Sequence, residues 1–362
     1  MNMFPALEKN YSKDKMRVLE AMKRAHELSY APITFQVTRL MVKFGILQML
    51  IDAKDGLTMD EIAAKTNLSR YAVQVLLEAS LTIGTVLCSD DRFVATKLGW
   101  FILTDPLVKV NFTFNHDVTY QGMYFLEQAL LNGKPEGLKV FGQWKTIYEG
   151  LSSLPEQAQK SWLAFDHYFS DSSFDEALQI VFSYRPKTLL DVGGNTGRWA
   201  MRSVEYDENV NVTIMDLPQQ LAMMKEQIAG KKGSERISGY AADLLDEKAP
   251  FPKGFDAIWM SQFLDCFSEA EIVSICKRAV ESMDDDSLLF IMETLWDRQQ
   301  NETAAFAVTH ISLYFTAMAN GNSKMYYTDD LIRCVETAGL TVTKIHDGLG
   351  GGHSILVCKK SC

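Results

Sequence analysis

The spacing of apolar residues changes near residue 185 and divides the chain into two parts. Before this point apolar residues recur at helical intervals, which predicts a mostly helical N-terminal half. After it, short β-branched runs alternate with helical segments, which predicts a doubly wound α/β domain with a mostly parallel sheet. We predict three regions: a helical N-terminal domain at 1–110, a helical linker or lid at 111–184, and the α/β domain at 185–362.

The first region has the pattern of a winged helix-turn-helix between about residues 36 and 105. Residues 33–52 predict one amphipathic helix, a capping box at Thr58 begins a second, and Ser69 begins a third. Residues 86–99 then predict two short strands joined by a tight turn, which would form the wing.

Two further helices and a hairpin complete the predicted elements. Residues 112–131 and 155–173 predict helices rich in aromatic side chains, which we expect to pack in a core or an interface. Residues 340–346 and 353–360 predict a terminal hairpin, and we expect His353 to lie in its flexible turn.

Winged helices occur in DNA-binding proteins and also in proteins that use them for protein contacts. The helix that would read DNA has Arg70 and Gln74, but it also has Glu78. The chain has 36 Lys and Arg residues against 46 Asp and Glu residues, and its net charge of −10 opposes binding to phosphate backbones. We therefore expect no nucleic-acid partner, and a DNA-binding regulator is the least favoured functional alternative.

The composition is typical of a globular protein. Apolar residues make up 47% of the 362 positions, which is enough for a sizeable core. No run approaches the roughly 20 apolar residues that span a membrane, and the first residues turn charged before an apolar run develops. We expect a cytoplasmic protein with no membrane partner. The six cysteines show no paired spacing, which predicts reduced thiols and no metal site.

The segment Leu189–Gly197, LLDVGGNTG, carries the strongest indication of function. A buried strand runs into a glycine turn that opens a helix, where α/β sheets bind ligands. The next strand ends at Asp216, 19 residues after Gly197, where a carboxylate can accept ribose hydroxyls. Val192 breaks the glycine fingerprint of NAD-binding proteins, and Asp191 would repel a pyrophosphate. The two carboxylates therefore favour S-adenosylmethionine (SAM), which carries a cationic sulfonium and no phosphate.

The motif DVGGNTG and three later segments together resemble the motif series of class I SAM-dependent methyltransferases. The later segments are Asp216-Leu217-Pro218, Ala242-Asp243-Leu244-Leu245 and Phe255-Asp256. Over nearly its whole length the chain is similar to the O-methyltransferase family of caffeic acid, isoflavone, hydroxyindole and bacterial polyketide tailoring enzymes. The resemblance implies SAM as the cofactor, a Rossmann-like sheet at 185–362, an N-terminal winged-helix dimerisation domain, a homodimer and a small-molecule acceptor.

The resemblance also implies roles for the residues at matching positions. Gly193, Gly194 and Gly197 match the loop around the methionine part of SAM. Asp216 matches the ribose acceptor, with Leu217 beside the adenine, and Asp243 matches the acceptor for the adenine amino group, with Leu244 packed there. Asp191 and Ser173 complete the predicted cofactor-binding set. Ser173 and Phe165 keep the family pattern in FDHYFSDSS, whereas Phe169 stands where the family has a methionine near the methyl donor.

The family's catalytic histidine is replaced in this chain. The matching segment reads Leu264-Asp265-Cys266-Phe267-Ser268-Glu269, so that Asp265 stands at the position of the base. Glu293 matches the first of two acidic residues that steady the histidine in the family. Met325 stands at the position of the second. The resemblance therefore predicts a catalytic centre with an altered base.

Three interpretations of this centre stay open. In the first, Asp265 is the base itself, and crowding against Glu293 raises its low intrinsic pKa. In the second, another group is the base, and the candidates are His167, His310, Tyr326 and Lys324. In the third interpretation the protein binds SAM without transferring its methyl group.

Two expectations concern the surroundings of this centre. Asp265 could simply cap the helix that begins near Ser268. Six aromatic residues could line an apolar cavity, and this predicts a small apolar or aromatic acceptor; they are Trp162, Phe165, Tyr168, Phe169, Tyr314 and Phe315.

Overall fold

The computed structural model describes residues 11–361, and the chain forms two compact units, one up to Asn115 and one from His116 onward. The sequence predicted boundaries at residues 110 and 184 instead, and that three-part division stays a prediction. No helix among the described residues is long and apolar enough to cross a membrane.

The first unit is a winged helix, as the sequence predicts. Its helices are α1 (Val18–Ser29), α2 (Ala31–Lys43), α3 (Ile46–Asp52), α4 (Met59–Thr66), α5 (Arg70–Ile83), α6 (Lys97–Thr104) and α7 (Pro106–Phe114), and its strands are β1 (Leu57–Thr58), β2 (Val86–Ser89) and β3 (Arg92–Ala95). The strands pair antiparallel in the order β1-β3-β2. Thr58 caps α4 in a capping box with Glu61, and Ser69 caps α5.

The prediction of a single helix at 33–52 was wrong. The structure has α2 and α3 there, and Gly45 between them adopts a left-handed φ of 71°. A glycine takes this conformation without strain, so the chain turns and packs both helices against one core. Met41 of α2 and Leu47 of α3 are fully buried in that core.

The predicted helix at 112–131 is also interrupted. After α7 come a π-helix (Asn115–Thr119) and a 3-10 turn (Gly122–Phe125), and α8 (Leu126–Asn132) begins only then. Gly122 lies so close to the Met318 side chain that an added Cβ would overlap its sulfur atom. This close approach of backbone to side chain fixes an irregular conformation that the apolar pattern does not reveal.

The second unit consists of a seven-stranded sheet covered by helices. Its remaining helices are α9 (Ile147–Gly150), α10 (Glu156–Asp171), α11 (Phe174–Phe182), α12 (Arg198–Tyr206), α13 (Pro218–Ile228), α14 (Glu269–Ser282), α15 (Glu302–Tyr314) and α16 (Thr328–Thr337). Short 3-10 turns lie at Glu136–Val140, Leu151–Ser153, Ser234–Arg236, Leu264–Cys266 and Trp296–Arg298, and a π-helix lies at Phe315–Ala319.

The strands of this sheet are β4 (Thr188–Val192), β5 (Asn211–Asp216), β6 (Ile237–Ala241), β7 (Ala257–Ser261), β8 (Leu288–Glu293), β9 (Leu340–Leu349) and β10 (His353–Lys360). Their order is β6-β5-β4-β7-β8-β10-β9. The first five are parallel, and the β9–β10 hairpin pairs antiparallel with β8. This is the doubly wound, mostly parallel sheet that the sequence predicts.

The position of β4 determines where a ligand can bind. The chain leaves β4 toward β5 and β6 on one side and later adds β7 and β8 on the other, so the strand order reverses there. Asp191 near the end of β4 pairs with Ile214 of β5 and Trp259 of β7. Ligands in open α/β sheets bind at the carboxyl ends of the strands where the order reverses.

Candidate active site

A cavity of about 440 Å³ lies at the carboxyl ends of β4, β5 and β7. Nine of the predicted site residues line it: His167, Asp191, Gly193, Gly194, Asp216, Leu217, Asp243, Leu244 and Asp265. Four of the predicted residues are not on its lining: Ser173, Gly197, Glu293 and His310. The structure therefore brings most of the predicted set together around one space of the size that small-molecule sites have.

The glycine turn after β4 approaches its neighbours too closely for any side chain. Gly193 has a φ of 73°, and an added Cβ would lie 2.3 Å from the ring of Phe263. An added Cβ on Gly194 would lie 2.5 Å from Oδ2 of Asp191. Gly197 also has a left-handed φ, at 79°, where α12 begins. The turn therefore leaves exposed backbone at the cavity wall.

Asp191 and Asp216 form an acidic pair at this end of the cavity. Asp191 is 2% exposed, and its Oδ2 has no hydrogen-bond partner among the residues that the structure describes. Burial and the charge of Asp216 raise the pKa of Asp191 to about 8. Asp216 accepts hydrogen bonds from the backbone N–H of Asn195 at 2.9 Å and of Leu217 at 2.7 Å. Burial raises the pKa of Asp216, and these two bonds oppose the rise.

Asp265 lies at the other end of the cavity, in the 3-10 turn after β7. Its side chain is buried, with 5% exposed. Burial and the charge of Asp166 raise the pKa of Asp265 to about 7. The Cys266 thiol donates a hydrogen bond to its Oδ1, which opposes this rise. The interpretation of Asp265 as a helix cap is wrong. Ser268 caps α14 in a capping box with Glu271, which leaves Asp265 free to face the cavity.

Glu293 at the end of β8 holds the turn that carries Asp265. Its Oε1 accepts hydrogen bonds from the backbone N–H groups of Phe263 at 3.0 Å and Leu264 at 2.8 Å. Burial and the charge of Asp265 raise the pKa of Glu293 well above its usual range. Glu293 does not line the cavity, so its contacts are with the turn and not with the cavity itself.

The other candidate bases occupy different places. His167 on α10 lines the cavity, and its Nε2 is buried with no hydrogen-bond partner in the described part of the chain. Burial and the charge of Arg198 lower the pKa of His167, which keeps the ring neutral. His310 is exposed on α15, where its Nδ1–H donates to the Phe306 carbonyl at 2.7 Å. The structure therefore brings His167, but not His310, to the cavity.

Tyr326 and Lys324 also lie off the cavity lining. The buried Tyr326 hydroxyl donates to the Phe267 carbonyl at 2.5 Å. Lys324 pairs with Asp330 at 3.1 Å and is half exposed. Both groups are therefore engaged elsewhere.

Ser173 has a structural partner that the sequence did not predict. It is fully buried, and its Oγ lies 2.8 Å from Nδ1 of His353. The expectation that His353 occupies a flexible turn was wrong, because this residue begins β10 and is 0% exposed. Burial lowers its pKa to about 4, so His353 is a neutral core residue that ties α11 to the β9–β10 hairpin.

Two family models match the chain. The model of a Dimerisation2-like domain matches residues 22–93, and the model of the O-methyltransferase domain matches residues 125–339, more than half of the chain. The chain belongs to the O-methyltransferase domain family. The family and fold predicted from the glycine motif are thus confirmed, including the N-terminal dimerisation domain.

Among relatives of this O-methyltransferase-family chain is an L-tyrosine C(3)-methyltransferase of Streptomyces lavendulae, which is 22% identical over 296 residues, 81% of this chain and 79% of the relative. Solved structures share the fold at low identity. The apo SAM-dependent methyltransferase SibL has a TM-score of 0.70 at 19% identity and covers 93% of this chain and 98% of its own.

A second structure, the O-methyltransferase NcsB1 from neocarzinostatin biosynthesis, was solved in complex with SAM and 2-hydroxy-5-methyl naphthoic acid. Its TM-score is 0.67 at 18% identity, and the match covers 90% of this chain and 96% of that one.

The aromatic wall that the sequence predicts is present with one exception. Five of the six predicted aromatic residues line it, and they are Trp162, Phe165, Phe169, Tyr314 and Phe315. Tyr168 is not on the lining, although it meets the Phe169 ring edge-on. The Trp162 indole N–H donates to the Tyr314 hydroxyl at 2.7 Å, which joins α10 to α15 across the wall.

Sequence reasoning missed several lining residues. Asp166 is one of them, and its place directly after Phe165 in the segment FDHYFSDSS was the available signal. Burial raises the pKa of Asp166 to about 6. Trp199 and Trp259, which stack with ring centroids 4.2 Å apart, also line the cavity, as does Tyr148. No motif pointed to these three, because their places depend on packing between distant segments.

Proposed function

We propose that the chain is a homodimeric enzyme that methylates a small aromatic acceptor with SAM as the methyl donor. One observation carries the proposal: a single cavity joins a glycine turn with two carboxyl groups to an aromatic chamber that Asp265 lines. The first end fits a cationic adenosyl donor, and the second end fits a flat acceptor with a general base beside it.

The residues of the donor end fit SAM. The turn at Gly193 and Gly194 has no room for a side chain, so its backbone can approach a ligand. The unpartnered Oδ2 of Asp191, judged over the described residues, is an acceptor and a potential negative charge for an ammonium or sulfonium group. When bound, SAM supplies an electrophilic methyl group on a sulfonium.

Asp216 and Asp243 would hold the nucleoside part. Each oxygen of Asp216 receives one backbone N–H, which leaves a lone pair on each for a ribose hydroxyl. Asp243 uses Oδ1 to accept from the Leu245 N–H at 3.0 Å, so Oδ2 is available to an adenine amino group. Leu217 and Leu244 supply the apolar contact on either side.

Asp265 is the proposed general base. A base works best when its pKa is near the working pH, and burial brings the pKa of Asp265 to about 7. The proton of an acceptor hydroxyl passes to Asp265 as the oxygen bonds to the methyl carbon, and the bond from that carbon to sulfur breaks. Glu293 holds the turn in place and aims Asp265 at the acceptor.

Methylation at a ring carbon is a second candidate. A relative similar over four fifths of this chain is named as a tyrosine C(3)-methyltransferase, and this chain also departs from the family's histidine base. The same Asp265 could take the hydroxyl proton while the adjacent ring carbon bonds to the methyl carbon and the bond from that carbon to sulfur breaks. The attacked ring carbon then loses its hydrogen as a proton to solvent, which restores the aromatic ring, and Asp265 returns its proton to the phenol oxygen. The two products differ in the chemical shift of the transferred methyl group.

The test is methyl transfer from carbon-13 methyl SAM to a library of phenols, read by mass spectrometry and NMR. We expect S-adenosylhomocysteine and one methylated product in equal amounts, and thermal shifts with SAM and S-adenosylhomocysteine. Formation of labelled macromolecules only would contradict the small-molecule acceptor. Thermal shifts without any methylated product would support the alternative of a SAM-binding protein that does not transfer methyl groups.

A further inference from the structure

Two carboxyl groups face the acceptor chamber. Asp166 on α10 and Asp265 in the turn after β7 line the same cavity, and the charge of Asp166 acts on Asp265. This chain therefore places two acids where the acceptor must lie.

The chamber offers little positive charge to balance these acids. Over the described residues, Arg198 is the one lysine or arginine on the lining. Its guanidinium pairs with the Asp171 carboxylate, and the two charges act in opposite directions on Asp166. His167 is neutral because burial and Arg198 lower its pKa. Carboxyl groups therefore outnumber cationic groups on the lining, and a charge acts strongly between apolar walls.

The walls themselves favour the same class of ligand. Trp162, Phe165 and Phe169 present aromatic surface, and the rings of Phe165 and Phe169 lie 5.1 Å apart. Aromatic faces attract ammonium groups as well as flat rings. A carboxylate in this space would lie beside the like charge of Asp166, which costs binding energy.

We propose that the acceptor is an aromatic amine: its ring occupies the aromatic chamber, its ammonium group pairs with Asp166, and its reacting hydroxyl or ring carbon faces Asp265. The chamber rejects acceptors of the same shape that carry a carboxylate. This proposal rests on the proposed function for the identity of the reacting atom, but the charge preference is a property of binding and is measured without methyl transfer.

The experiment compares three probes with the same phenol ring: tyramine, the neutral alcohol tyrosol, and 4-hydroxyphenylacetate. Dissociation constants are measured by calorimetry on the full chain saturated with S-adenosylhomocysteine. We expect tyramine to bind at least about tenfold more tightly than 4-hydroxyphenylacetate, with tyrosol between them. Equal binding of the three probes, tighter binding of the acid, or no measurable binding of any probe overturns the proposal.

Two variants locate the effect. Asp166→Asn should reduce the preference for tyramine to within about threefold, whereas Asp166→Glu should retain it. The matched control is Asp175→Asn, because Asp175 is an exposed acid that pairs with Arg202 off the cavity lining, and it should leave the preference unchanged. A preference that survives Asp166→Asn contradicts the assignment.

The saturation step separates the two possible failures. If S-adenosylhomocysteine does not bind, the proposed function fails. If it binds and the three probes bind equally, the proposed function stands and the amine proposal fails.

Discussion

The two ends of the cavity are built by different parts of the chain. At the donor end, backbone geometry dominates: β4 and β5 end there, and the turn at Gly193 has no room for side chains. At the acceptor end, side chains dominate, with aromatic residues from α10 and α15 and Asp265 from a 3-10 turn. Backbone geometry tolerates few substitutions, whereas side chains change one at a time.

This difference explains where the chain keeps its family's pattern and where it departs from it. The glycine turn and Asp216 retain the motif, because each serves the shape of the loop as well as a ligand. Asp265, by contrast, stands where the resemblance predicts a histidine, and it meets the cavity through its side chain. The donor end should therefore determine whether SAM binds, and the acceptor end should determine the rate and the substrate.

The largest expected effect concerns the acceptor end. Asp265→Asn removes the proposed base and keeps the shape of the side chain, so we expect kcat to fall about a hundredfold with S-adenosylhomocysteine affinity unchanged. Initial rates with the acceptor from the labelled-methyl screen and calorimetry measure the two quantities.

The control for this variant is Asp286→Asn, an exposed carboxyl between α14 and β8, which should leave both quantities unchanged. A loss of rate in His167→Gln but none in Asp265→Asn would instead assign proton removal to His167.

At the donor end, a substitution should lower the affinity for S-adenosylhomocysteine, which the change at Asp265 leaves unchanged. In Gly193→Ala, the new Cβ would strain a φ of 73° and overlap Phe263, so we expect S-adenosylhomocysteine affinity to fall about tenfold or more by calorimetry. Gly230→Ala is a matched control, because Gly230 has the same φ of 73° and nothing within 4 Å of the added Cβ. Equal losses in the two variants would show that strain alone, and not the close approach at the turn, lowers the affinity.

The same contrast explains how much the sequence predicts. β4, the glycine turn and Asp216 follow from local patterns, because strand, turn and helix signals are adjacent in the chain. The break at Gly122, the burial of His353 and the meeting of Trp199 with Trp259 depend on residues far apart in sequence. The capping role of Ser268 was within reach, since Glu271 three residues later completes a capping box.

A smaller effect should come from Glu293, which links the β8 end to the Asp265 turn. Glu293→Leu leaves the N–H groups of Phe263 and Leu264 without their acceptor, so we expect kcat to fall about threefold to tenfold and the melting temperature to drop. Glu293→Gln keeps a carbonyl oxygen and resembles the protonated acid that the raised pKa favours, so its kcat should stay within about threefold. Comparable losses in both variants would indicate that the charge of Glu293, and not its hydrogen bonds, is required.

The smallest effect concerns stability at the donor end. The folded chain holds the Asp191 proton up to a pH of about 8, whereas an unfolded aspartate releases it near pH 4. Between these values the folded state binds more protons, so Asp191 costs stability as the pH rises through this window. Asp191→Asn should therefore have the same melting temperature as the wild type at pH 5 and a higher one at pH 9, by about 2–4 °C for each kcal/mol of unfolding free energy regained. Asp246→Asn, at an exposed site, should show no such difference. Equal shifts of Asp191→Asn at both pH values would contradict the burial cost.

A bound cation lowers the same cost by pairing with the Asp191 carboxylate. SAM should therefore raise the melting temperature of the wild type more at pH 9 than that of Asp191→Asn, which would assign the unpartnered oxygen of Asp191 to the donor's positive charge.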